Sequence, residues 1–187
     1  MLSHSTTRGS LVRAASALGL AATLFAGVPA IAATQGSVGA TSTGSVAITA
    51  TVPNRARISG LTDVSFASVD PAVDATSSQG PCVWSNTSTR RYTIVATGSG
   101  TASAFTLTDG TVTVPYSVGW AATSGATTLT SLATGTASAA LTATGTNITC
   151  SGGADSTLKV SILASDLQNM VATNTYNGTL TLVVTPQ

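Results

Sequence analysis

Tyr176-Asn177-Gly178-Thr179-Leu180-Thr181-Leu182-Val183-Val184-Thr185 is the stretch that decides the fold. Tyr176, Leu180, Leu182 and Val184 share one parity, and Thr179, Thr181 and Thr185 take the other. Side chains of an extended chain point alternately to opposite faces, so this pattern reads as a strand with one dry face and one wet face. The same period recurs upstream. Val46, Ile48, Ala50 and Val52 alternate with Ala47, Thr49 and Thr51, and Leu158, Val160 and Ile162 alternate with Lys159 and Ser161. Tyr92 to Thr97, Ala104 to Thr108 and Thr111 to Trp120 are further strand candidates, with weaker ones at Thr127 to Leu132 and Ala137 to Leu141.

The punctuation between these runs belongs to a β protein. Pro53-Asn54 and Gly98-Ser99-Gly100 end strands. Asp109-Gly110 between two β-rich runs reads as a hairpin turn with positive φ at both positions. Pro115 marks an edge or a bulge. Asp70 to Pro81 reads as a loop, and Ser165 to Asn169 as a single helical turn capped by Ser165. Tyr116 and Trp120, four apart on one strand, share a face and are expected in the core. About eight short strands with Gly-rich turns predict an all-β sandwich. Composition agrees: Val, Ile and Thr branch at Cβ and suit a pleated sheet, while Glu is absent and Lys159 is the single lysine.

The first residues follow a different logic. His4, Arg8 and Arg13 precede an apolar run from Leu11 to Val28, and Ala30-Ile31-Ala32-Ala33 supplies small residues. That order is a secretory signal, with cleavage after Ala32 or Ala33. Ser16, Gly19, Thr23, Gly27 and Pro29 leave the run short for a membrane anchor, which needs about 20 apolar residues. No membrane insertion is therefore expected after cleavage. Residues 34–53 form a flexible leader, and 54–187 form the sandwich domain. An oxidising destination makes a Cys82–Cys150 bridge the expectation for the two cysteines. The chain-entropy model assigns roughly 4 kcal/mol to closing so long a loop.

Function classes fall away by what the chain does not contain. Past the signal there are five basic residues, Arg55, Arg57, Arg90, Arg91 and Lys159, against six aspartates. A net charge of −1 offers nucleic acid no partner. The only histidine is His4, so no Ser-His or Cys-His pair and no histidine metal site is expected. We expect neither enzyme activity nor a cofactor. Arg90 and Arg91 near Trp84 combine guanidinium and ring, the elements of a ligand patch. The other reading of Trp84 is packing on the disulfide.

Several segments together resemble a known family. Leu61-Thr-Asp-Val-Ser-Phe66, Cys82-Val-Trp84, Tyr92-Thr-Ile-Val-Ala-Thr-Gly98, Val114-Pro-Tyr116 with Trp120, Cys150-Ser-Gly-Gly153 and Tyr176 to Pro186 look like spore coat protein U domains. That family includes the Csu-type, or archaic, chaperone–usher pilins of Gram-negative bacteria, and the resemblance covers about Gly60 to Pro186. It implies an immunoglobulin-like β-sandwich that lacks its last strand. It also implies a periplasmic pilus chaperone that lends a strand and an outer-membrane usher that exchanges it for the leader of another pilin subunit. The destination implied is the cell surface, in a fimbrium serving adhesion or biofilm formation.

On this reading Val46, Ile48, Ala50 and Val52 are the candidate donor strand, and Tyr176, Leu180, Leu182 and Val184 edge the candidate acceptor groove. The alternative assignment makes Val46 to Val52 the domain's own first strand and leaves Ser37 to Thr41 as donor. The rival function is a self-contained secreted β-sandwich that binds a carbohydrate or surface ligand and does not polymerise.

Overall fold

The structure is a computed structural model that describes residues 33–187. The signal read from the sequence lies outside the described residues, apart from Ala33. The chain divides into two compact units, one ending at Ala50 and one running Thr51–Gln187. In the first, Thr34 and Ser45 exchange backbone hydrogen bonds of 2.9 and 3.0 Å. No strand forms from Val46 onward in this unit, and all its described residues are exposed.

The second unit is an all-β sandwich of antiparallel sheets, with no closed barrel. Its strands are β1 (Ala56–Ser59), β2 (Ala75–Gln79), β3 (Cys82–Ser85), β4 (Arg91–Gly98), β5 (Thr106–Thr108) and β6 (Thr113–Pro115). They continue with β7 (Ser117–Ala121), β8 (Thr130–Ser131), β9 (Leu141–Thr142), β10 (Thr157–Ile162) and β11 (Leu180–Pro186). The two larger sheets run β2-β10-β7-β8 and β11-β4-β9, and two ribbons pair β1 with β3 and β5 with β6.

Alternation builds the core. Tyr92, Ile94 and Ala96 of β4 face Val118 and Trp120 of β7 and Leu158, Val160 and Ile162 of β10, all buried. Trp120 Nε1 donates to Tyr92 Oη at 3.2 Å across this core. Tyr116 and Trp120 are both buried as expected, but not on one strand: the run Thr111 to Trp120 breaks at Tyr116 into β6 and β7, which belong to different sheets. Cys82 and Cys150 form the expected disulfide, with Cα atoms 6.2 Å apart.

Several local expectations are corrected. Residues 75–79, read as loop, form β2, because Ala75 to Gln79 pair in register with Ile162 to Leu158. The polar Thr76, Ser77 and Ser78 carry no periodicity of their own, and the ladder with β10 is what orders them. The turn after β5 spans four residues, Asp109 to Val112, and only Gly110 (φ 95°) is left-handed. The Asp109 side chain organises it by accepting from the N–H groups of Thr111 (2.9 Å) and Val112 (2.7 Å).

The short helix α1 (Ala164–Leu167) starts after Leu163, not Ser165. Its exposed first N–H, that of Ala164, donates to the Asp74 carboxylate at 2.8 Å from another part of the chain. The final strand is shorter than the alternating stretch. Asn177 pairs with Thr108, and Thr179 N donates to Ser99 Oγ at 2.9 Å, so regular pairing with β4 begins only at Leu180. Val46 to Val52, read as a candidate donor strand and alternatively as the domain's own first strand, pairs with no strand here.

Candidate functional site

The two sheets are not closed over each other on every side. β4 is flanked by β11 on one edge and by β9 with bridges from Thr134 and Ala137 on the other. β11 is terminal in its sheet, so the backbone groups of its outer edge have no ladder partner among the described residues. Such an edge is a template for another strand.

Beside that edge opens a cleft of about 760 Å³, apolar in its depth and polar along Thr62, Ser65, Gln79, Asn174 and Thr175. Leu180 and Leu182 of β11 form one side, and Leu158, Val160 and Ile162 of β10 line its depth. The stretch from Leu61 to Val69 forms the other side. Leu61, Val64 and Phe66 are at best half-buried there, and the stretch joins no ladder. Asp63 is the one charged side chain among the described residues that line the cleft. The site thus favours an uncharged occupant with apolar side chains for its depth, since burying an unpaired charge costs more than the surface it covers returns.

The strandless side is held extended by one residue. Gln79 Oε1 accepts from Thr62 N at 2.7 Å, and Gln79 Nε2 donates to Thr62 O at 3.1 Å. Its side-chain amide stands where a neighbouring strand's peptide group would. No sequence signal marked Gln79, because an amide in a polar run looks like any surface residue.

The far end of the cleft is fastened by polar contacts. Asn174 Nδ2 donates to Asp109 Oδ2 at 2.7 Å, and Val171 N donates to Tyr176 Oη at 2.8 Å. The N–H groups of Val112 and Thr111, then Asn174, hold the Asp109 carboxyl down at about 2. Gly178 is required here: a Cβ would stand 2.6 Å from Thr106 O. Tyr116 stacks on Phe105 with ring centroids 5.6 Å apart. Its buried hydroxyl has no hydrogen-bond partner among the described residues, and burial pushes its pKa up.

The sequence-predicted site residues divide into three groups. Tyr176, Leu180 and Leu182 line the cleft together. Val184 shares their face but packs on the core beyond it. Val46, Ile48 and Val52 are 71%, 88% and 75% exposed, and Ala50 is exposed with them. Among the described residues, no group of three or more potential metal ligands comes together, and no helix is long and apolar enough to cross a membrane. No protein-family model matches the chain, and no curated protein matches it.

Proposed function

We propose that this chain is a structural subunit of a surface fibre, in which the cleft beside β11 receives an extended apolar segment donated by another molecule. The observation that carries this reading is an unpartnered sheet edge bordering a cleft with an apolar floor, in a chain that also displays an alternating apolar segment. The segment Val46 to Val52 has the form such a cleft selects: side chains on every second residue to fill it, and backbone to extend the sheet. The resemblance to spore coat protein U and archaic pilin domains supports the same assignment. It adds the partners: a periplasmic chaperone that fills the cleft first, an outer-membrane usher that catalyses exchange, and sister subunits.

Magnitudes indicate what holds such a joint. Fully burying Val46, Ile48 and Val52 contributes roughly 1.5–3 kcal/mol each. Association costs an estimated 4–15 kcal/mol. Side chains of the donor alone therefore sit near break-even. The surplus has to come from the backbone ladder along β11 and from covering Leu61, Leu180 and Leu182.

Deleting Gly36 to Val52 tests the reading. The shortened chain is expected to fold and to bind a peptide spanning Gly44 to Pro53, while failing to assemble. If the deletion instead unfolds the domain, the segment is an internal strand and the donor assignment is wrong.

A further inference from the structure

Most exposed charges of the sandwich gather by sign at its two ends; the exceptions are Lys159 within β10, Asp63 beside Thr62, and Asp155, which is buried before β10. Arg55 immediately precedes β1, Arg57 lies within it opposite Trp84 of β3, and Arg90 and Arg91 stand at the start of β4. Asn86 N, just past β3, donates to Arg55 O, and Gln187 N donates to Arg91 O, so these segments meet at one end. All four arginines are exposed.

The opposite end is where β4 and β10 finish and β2 begins. It holds Asp70 and Asp74 before β2, Asp109 in the β5–β6 turn and Asp166 in α1. Asp70, Asp74 and Asp109 accept hydrogen bonds from Ala72 N, from Ala164 N, and from Thr111 N, Val112 N and Asn174. None accepts from a guanidinium among the described residues, so the two sets of charge are not spent on each other.

The acidic end is also an end of the cleft. Asn174, Leu167 and Val69 line the cleft, and they lie next to Asp109, Asp166 and Asp70 respectively. In the sequence, only Pro53 and Asn54 separate Val52 from Arg55. A second copy whose Val46–Val52 segment fills the cleft therefore brings its arginine end to whichever mouth its chain leaves by. At the acidic mouth opposite charges meet. At the other mouth the arginines of the two copies meet, with Asp63 the one acid of the cleft lining on that side.

We propose that the arginine end of one copy of this chain docks on the acidic end of another, and that this contact orders copies head to tail. The proposal rests on the fibre-subunit reading and adds to it a charged contact between the sandwich bodies, outside the cleft. Charges at the rim of a contact set encounter rate and register more than affinity. They also suppress the like-charged arrangement.

The test measures self-association of the purified full chain by light scattering and sedimentation, at about 10 mM and about 1 M salt, where the Debye length is about 30 Å and about 3 Å. Two charge-swapped variants are compared. One carries Arg55→Asp and Arg90→Asp; position 90 has φ 52°, which Asp tolerates. The other carries Asp70→Arg and Asp166→Arg, leaving the structural carboxylates Asp74 and Asp109 in place. Circular dichroism checks that both fold. The expected result is association at least roughly ten-fold faster in low salt, slowed about as much in either variant alone. An equimolar mixture of the two recovers the native rate.

Unchanged association in both variants, no recovery on mixing, or no self-association at any salt overturns the docking proposal. Binding of the Gly44–Pro53 peptide, followed in the same samples, decides the cleft reading separately, because neither variant alters a residue that lines the cleft.

Discussion

Two tyrosines in one core respond oppositely to the loss of a hydroxyl. Tyr92 Oη accepts from the buried Trp120 Nε1–H, so Tyr92→Phe strands a donor away from water. That is expected to cost about 1–3 kcal/mol in chemical denaturation. Tyr116 Oη has no partner to strand among the described residues, and Tyr116→Phe is expected to raise stability by about 1 kcal/mol. Equal losses in the two variants would show that the Tyr116 hydroxyl is satisfied after all. Asp155 is the other decisive side chain. It is 8% exposed, and its carboxylate takes the N–H groups of Val83 and Gly145 and the Ser156 hydroxyl, at 2.9, 3.1 and 2.8 Å. In the sequence it was only one of six acids, because its three donors come from segments up to 72 residues away.

Among elements, the β5–β6 turn carries a pH signature. The folded-state pKa of Asp109 is lowered from the ordinary 3.8 to about 2. A depressed carboxylate contributes stability that is fully present above the unfolded value and is lost as pH falls through the folded one. Stability of the native chain should therefore decline between pH 4 and 2 more steeply than that of Asp109→Asn, as followed by urea midpoints across that range. Parallel profiles would remove Asp109 from the account.

Strands were legible where one face is buried, as in β4, β10 and β11, because burial imposes the two-residue period on the sequence itself. They were not legible where a ladder alone orders polar residues, as in β2. The reverse also occurs. Val46 to Val52 and Leu61 to Phe66 carry apolar residues suited to strands, yet neither forms one. The residues bordering the cleft on β11 were visible through that periodicity. Leu107, Leu167 and Met170 were not, because the chain fold rather than local spacing brings them to the cleft.

For the molecule as a whole, the disulfide and the open edge have opposite effects. The Cys82–Cys150 bridge spans 68 positions and restricts the unfolded chain. Reduction is expected to cost roughly 4 kcal/mol in the chain-entropy model, read as a shift in denaturation midpoint under thiol. The open edge leaves part of the core's apolar surface, at Leu180 and Leu182, for another molecule to cover. The central claim is that an extended apolar segment completes this sheet. Hydrogen exchange of the β11 amides, with and without a peptide spanning Gly44 to Pro53, measures it most directly. The account predicts that outward-pointing amides between Leu180 and Thr185 exchange more slowly when the peptide is present, and that an Ile48→Asp peptide has no such effect. β11 amides indifferent to both peptides would contradict it.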